Sequence, residues 1–162
     1  MKIGLLLGLV LSFLPITEIR GGLPVIIYYT YKNSLPLLPF FLLSLTFNIL
    51  SIFFVYFFLD FFNEKLLKME SYKKFFNKII EKRIRKKREK LEKEFNQIGY
   101  LALFVFVAIP LPGTGAWTGT LIAWLLGLNR KKSFFAIACG VLFAGLFILF
   151  SYYGFHFLLK LF

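Results

Sequence analysis

The sequence predicts an all-α integral membrane protein built as an inverted-topology repeat. Each half is a re-entrant helical hairpin followed by a transmembrane helix, and a basic cytoplasmic helix joins the halves. Three observations predict it. Of 162 residues, 59% are hydrophobic and 20% aromatic, well above the roughly 45–50% apolar content of soluble domains, and a chain of one-domain length cannot hide that much apolar surface from water. The formal charge of +12 is segregated: residues 63–96 hold 13 of the 20 Lys/Arg and 6 of the 8 Asp/Glu, a local balance of 13 − 6 = +7. Arg130, Lys131 and Lys132 add three more, leaving four basic and two acidic residues for two long apolar blocks. Thirdly, the apolar segments fall into two length classes.

Taken in order, Met1-Lys2 and the apolar run to Leu14 have the charge pattern of a secretory leader, but no pair of small residues suited to cleavage follows, the first alanine being Ala102. Residues 3–14 and 23–31 would reach only ~18 and ~14 Å as helices against a hydrocarbon core of ~30 Å. Between them lie Pro15, Thr17, Glu18, Arg20, Gly21, Gly22 and Pro24, which predict a turn, because proline removes a backbone donor and glycine relaxes the chain. Residues 36–62 would reach ~40 Å and cross the bilayer. The connector, 63–97, has no Pro or Gly and places Leu66, Met69, Tyr72, Phe76, Ile79 and Ile80 opposite Lys73, Lys74, Lys78 and Lys82, a helix that either lies on anionic lipid or is solvated and fixes topology. Residues 98–109 and 116–128 form a second short pair, ~18 and ~20 Å, around Pro110, Pro112, Gly113, Thr114 and Gly115. Residues 133–161 reach ~44 Å and cross again.

Lysine and arginine mark the cytoplasmic side. The connector and Arg130–Lys132 flank the second short pair, so that pair returns to its own side as a re-entrant hairpin. Two full crossings have the same parity but need longer helices. One crossing separates the hairpins, which therefore enter from opposite faces, with both termini outside. The whole chain, 1–162, is then one membrane domain: a first repeat over 3–62, the connector, and a second repeat over 98–161. Many secondary transporters share this inverted arrangement.

Glu18 and Arg20 are the only charged residues between Lys2 and Lys32. A charge buried in a bilayer costs at least ~2.5–3.5 kcal/mol, so each needs a partner or water. Two readings follow. In one, Glu18 pairs with Arg20, or Arg20 caps carbonyls, and the hairpin is held together. In the other, Glu18 carries a proton and Arg20 binds an anion. Gly21-Gly22 and Gly113-Thr114-Gly115 each precede a half-helix, expected to start near Leu23 and Ala116, whose free N–H groups would favour an anion at its tip. The same glycines also allow close packing. Ser44, Asn48 and Ser51 form a polar stripe that faces a wet cavity or another helix, and Ala136, Gly140 and Ala144 form a small-residue packing seam. Trp117 and Trp124 share a helix face as anchors, with substrate stacking open to Trp117, and His156 is expected at the outer interface.

The single Cys139 excludes an intrachain disulfide, and with one His no transition-metal site forms. No Ser-His-Asp grouping or carboxylate pair supports an enzyme, no cofactor is expected, and positive-inside bias accounts for Arg83–Arg88 without nucleic acid. Ile109-Pro-Leu-Pro-Gly-Thr-Gly-Ala-Trp-Thr-Gly119, within 99–144, and Thr17-Glu-Ile-Arg-Gly-Gly-Leu-Pro24 closely resemble the small multidrug export protein family, which looks like a distant branch of the DedA (VTT-domain) superfamily. The resemblance implies paired re-entrant hairpins and movement of polyprenyl phosphate or phospholipid, with proton coupling in some members. Glu18 matches the acid of the first DedA hairpin; the arginines usual in the second have no counterpart between Pro110 and Gly119, leaving Arg20 to serve. The substrate- and proton-binding set is therefore Glu18, Arg20, Gly21, Gly22, Pro24, Asn48, Pro110, Pro112, Gly113, Thr114, Gly115, Trp117 and Gly119, with membrane lipids, an anionic or amphiphilic substrate and protons as partners. Export of amphiphilic drugs and a non-transporting scaffold are the rival functions.

Overall fold

The structure, a computed structural model, describes residues 2–66 and 92–161. They form six helices and, among the described residues, no strand: α1 (Lys2–Phe13), α2 (Glu18–Lys32), α3 (Leu37–Leu66), α4 (Glu92–Ala108), α5 (Ala116–Leu125) and α6 (Arg130–Leu161). The amphipathic face expected of the connector lies outside the described residues, as does the side chain of His156. Two helices are long and apolar enough to cross a membrane, over Leu37–Phe62 (26 residues) and Arg130–Gly154 (25 residues). At ~1.5 Å per residue they exceed a ~30 Å core. The apolar stretches Ile3–Phe13, Ile98–Ala108 and Ala116–Leu125 are too short to do so, as their lengths in sequence predict.

Local chemistry sets most helix ends. α4 stops at Ala108, ahead of Pro110 and Pro112, where proline disfavours helical backbone before it and withholds a donor. α5 ends in a Schellman motif: Gly127 sits at φ 62°, its N–H donates to the Trp124 carbonyl, and the Leu128 N–H reaches back to that of Ala123. α2 closes in the same way with Ser34 at φ 52°, Ser34 N donating to Tyr31 O and Leu35 N to Thr30 O. α6 begins where Asn129 Oδ1 accepts the N–H groups of Lys131 and Lys132, an N-cap.

The first turn corrects the expectation. α2 starts at Glu18 rather than near Leu23, so Gly21, Gly22 and Pro24 lie inside the helix. The turn is confined to residues 14–17. Pro24 is exposed and lies inside the helix, where it withholds the N–H that the Arg20 carbonyl would otherwise accept. Gly22 is helical because α1 passes against it: a Cβ there would collide with Ser12 Oγ, Gly8 O and Ser12 N. Gly4 and Gly8 face α2 likewise, beneath Tyr29 and Ile26.

The second hairpin is built differently. α4 lies mainly along α6, and α5 bridges α3, α6 and the end of α4. Gly119 gives room to Val107 of α4, and Gly140 of α6 to Val107 and the Phe104 carbonyl. Gly140, the middle of the Ala136–Gly140–Ala144 stripe, is thus where α4 packs on α6. Ile19, Leu23, Ile52, Val107, Ile137 and Val141 fill the core between the halves, while Phe53, Phe57, Phe61, Phe143 and Phe150 point outward. An outward phenylalanine surface is what a hydrocarbon solvent permits. Gly22→Ala is expected to force α1 off α2 and cost about 1–3 kcal/mol, read as a lowered thermal midpoint in detergent micelles. Gly154→Ala, inside α6 where an added Cβ meets nothing within 4 Å, should not lower the midpoint and, by the helix preference of alanine, should raise it slightly.

Candidate functional site

The turns of the two hairpins touch. Four helix ends meet there: the C-termini of α1 and α4 and the N-termini of α2 and α5. Ends carry backbone donors and acceptors with no partner in their own helix, and in an apolar surrounding each must find another. Glu18 and Arg20, from the first hairpin, serve the second.

Glu18 is 2% exposed. Its Oε1 accepts the Trp117 N–H at 3.1 Å, and its Oε2 accepts the Ala116 N–H at 3.1 Å and Arg20 Nη1 at 3.0 Å. An acid thus caps the positive end of α5. Arg20 Nη2 donates at 2.9 Å to the carbonyls of Val107 and Ile109, so a cation caps the negative end of α4. Its Nε is buried with no hydrogen-bond partner among the described residues. Gly115 is the wall of this arrangement, because a Cβ on it would overlap Glu18 Oε2 and Arg20 Nη1. Glu18 itself is held at φ 47°, a backbone region that costs a non-glycine residue roughly 1–2 kcal/mol.

The rest of the predicted set divides. Trp117 joins the junction twice, through its backbone and through Nε1, which donates to the Phe13 carbonyl at 2.8 Å. Its ring packs on Phe13 and Phe54. Asn48 faces a helix, not a cavity: Nδ2 donates to the Ser12 carbonyl at 2.8 Å, Ser12 Oγ pairs with Ser44 Oγ, and Ser51 Oγ donates to the Asn48 carbonyl. All four side chains are buried. Thr114 Oγ1 donates to the carbonyls of Ile109 and Leu111, tightening the turn in which Gly113 takes φ 83°. Pro112 lies on the outer side of that turn and Pro110 is partly covered. Gly119 packs on Val107. Gly21, Gly22 and Pro24 stay on α2, where Gly22 serves the α1 contact.

Sequence reasoning missed two features. Thr17 Oγ1 donates to the Leu11 carbonyl at 2.6 Å, so the carbonyls of Leu11, Ser12 and Phe13 at the end of α1 take donors from three different segments. The second is a clamp between α3 and α6: Asp60 receives both Arg130 nitrogens at 2.8 Å and Trp124 Nε1 at 3.3 Å, with Arg130 over the Tyr56 ring. Asp60 is, with Glu18, one of the two acids left in the apolar blocks, a signal that a basic partner is needed. An open cavity lined by Ile27, Thr30, Tyr31, Leu37, Tyr152 and Tyr153 contains none of the predicted residues.

The junction residues fall within a recognised family. The family model described as "Putative small multi-drug export protein" matches residues 18–147, a span that runs from Glu18 through the Pro/Gly turn to the seam of α6. The chain belongs to the small multi-drug export protein family. No curated protein and no solved structure matches it. In this member of the family, the matched span contains the whole acid–guanidinium junction, whereas α1, which supplies the Phe13 carbonyl, precedes the match.

Removing one partner of a buried pair leaves the other uncompensated. Arg20→Ala is therefore expected to cost about 3 kcal/mol or more, and Arg20→Lys to recover little, since one ammonium cannot span two carbonyls and a carboxylate in the fixed fork of a guanidinium. Arg130→Ala breaks a pair whose side chains are 60% and 38% exposed and should cost under about 1 kcal/mol. Thermal midpoints of the purified variants decide the order.

Proposed function

We propose that the chain is a small membrane exporter that carries an anionic amphiphile, a polyprenyl phosphate or a phospholipid, across the bilayer by movement about its two hairpins. In this reading residues 1–162 form one DedA-like domain, with 3–62 and 98–161 as repeats of inverted topology whose hairpins re-enter from opposite faces. The connector and Arg130–Lys132 face the cytoplasm, and the termini lie outside. The protein acts as a carrier, not an enzyme. The observation that carries the reading is the meeting of both turns at one acid and one guanidinium, in a chain with two helices of membrane-crossing length. Charged groups placed among apolar helices cost too much to be retained without a structural or functional return.

The parts have distinct tasks. Arg20 and the N–H groups of Ala116 and Trp117 receive the head group, and the exposed phenylalanine surface lets tails remain in lipid. Glu18 takes up a proton when it yields its place and so couples movement to a proton gradient. The family description favours a second reading, export of amphiphilic drugs; for a cationic drug Glu18 is the counter-charge and the aromatic residues form the walls. That every Glu18 oxygen already has a donor inside the chain favours a third, a scaffold in which the hairpins only pack.

Liposomes holding the purified chain separate these. Labelled polyprenyl phosphate is expected to change leaflets at least tenfold faster than in protein-free vesicles, faster still under a pH gradient, and to lose most of that gain with Arg20→Gln. Flux confined to tetraphenylphosphonium, undiminished by Arg20→Gln, would instead establish the cation exporter. No flux of either probe, with Glu18→Gln folded and complementing normally in cells, would leave the scaffold.

A further inference from the structure

The two helices of membrane-crossing length, α3 and α6, meet differently at their two ends. At one, Asp60 of α3 accepts both Arg130 nitrogens of α6 at 2.8 Å and Trp124 Nε1 of α5 at 3.3 Å, and the guanidinium lies 5.5 Å over the Tyr56 ring. At the other, Leu37 of α3 and Tyr152 and Tyr153 of α6 stand with Ile27 and Thr30 of α2 around an open cavity of about 320 Å³. The long pair is drawn together at the Asp60 end and parted at the Leu37 end. The closed end is also the weaker kind of contact. Its charged side chains are 60% and 38% exposed, so solvent screens them. One turn deeper on each helix, the Tyr56 and Ser133 hydroxyls are buried side by side and find no partner elsewhere among the described residues. Water would give them hydrogen bonds, so the gain of closing the ion pair is offset beneath it.

We propose that Asp60, Arg130 and Trp124 form a releasable latch, and that the structure is the conformer closed at this latch and open at the Tyr152–Tyr153 end. α5 is the part it governs. The two acids of the apolar blocks hold that ten-residue helix at its two ends, Glu18 on the N–H groups of Ala116 and Trp117 and Asp60 on the Trp124 indole. When Arg130 and Trp124 leave Asp60, α6 and the far end of α5 come away from α3, and water reaches Tyr56 and Ser133. A screened ion pair opposed by two buried hydroxyls shifts between such states with a small input of free energy. That the latch is the inner gate on the path of the cargo rests on the export reading; that it opens is tested without transport.

The test is the rate at which a water-soluble thiosulfonate modifies Ser133→Cys in the full chain, in a Cys139→Ala background and detergent micelles. Ser133 is fully buried, so modification follows the open fraction when closing outpaces labelling. Arg130→Ala is expected to speed it about two- to fivefold, and Asp60→Ala, which removes the acceptor of all three bonds, to speed it more. With the pair intact, labelling should run faster in about 1 M KCl than in about 50 mM, a difference that Arg130→Ala largely erases. Ser44→Cys, buried on α3 about four turns from Asp60, should keep its rate throughout. No change at position 133, or an equal rise at position 44, would overturn the proposal. Where Ser133→Cys fails to fold, hydrogen exchange over residues 130–134 in chains that keep Ser133 gives the same reading, faster with Arg130→Ala if the latch opens and unchanged if it does not. In liposomes, Asp60→Cys with Arg130→Cys, joined by a reducible bifunctional thiosulfonate in the same background, should stop flux of labelled polyprenyl phosphate until reductant parts them. Flux that persists through joining overturns the gate and spares the export reading; faster labelling in a chain that moves no probe sinks the export reading and leaves the latch standing.

Discussion

Unpaired backbone at the ends of short helices is the constraint on which this structure depends. A helix that runs the full width of a bilayer can leave its ends in water. α1, α2, α4 and α5 cannot all do so, because their ends meet one another at the two turns. In lipid or in a protein core each orphaned carbonyl or N–H costs several kcal/mol if left alone. The chain solves this with side chains from across the molecule: Thr17, Asn48 and Trp117 on the last carbonyls of α1, Arg20 on those of α4, and Glu18 on the first N–H groups of α5. The signs agree with the helix dipoles at both charged caps. The turn after α1 and the turn after α4 are thus one polar junction shared by the two halves.

Glycine has a different task in each half. Gly8 and Gly22 bring the backbones of α1 and α2 together in the first hairpin, while Gly119 and Gly140 open space for Val107 in the second. Gly115 is the only one whose missing Cβ is taken up by charged groups. A sequence pattern of small residues is the same in all these cases, and only the packing partner separates a seam from a charged junction.

How much of this was legible follows from what kind of signal each feature leaves. Helix length and apolarity are one-dimensional, so the two long helices and the apolar stretches of three short ones match the sequence reading within a few residues, although α4 itself begins at Glu92, inside the stretch assigned to the connector. Pro110 to Gly115 announced a true break, because a proline pair and a glycine at positive φ act locally. Gly21, Gly22 and Pro24 have the same composition but lie in a helix, since the decisive fact, the close passage of Ser12 against Gly22, belongs to a distant part of the chain. The Glu18–Arg20 pair was one of two readings open from spacing alone. That the two residues cap the two helix ends of opposite polarity at the turn of the other hairpin needed the third dimension, as did the choice between a cavity and a helix for Asn48 and the pairing of Asp60 with Arg130.

The Arg20 guanidinium holds the end of α4 and the acid that holds the start of α5 at the same time. α4 and α5 therefore cannot part at their tip while α2 stays bound to both; prying any one of them loose breaks several bonds together. The two hairpins are coupled like pieces keyed by a single pin, and a large excursion of one drags the other unless the pin is first drawn. Because one guanidinium carries these bonds together, their loss is expected to be concerted rather than stepwise.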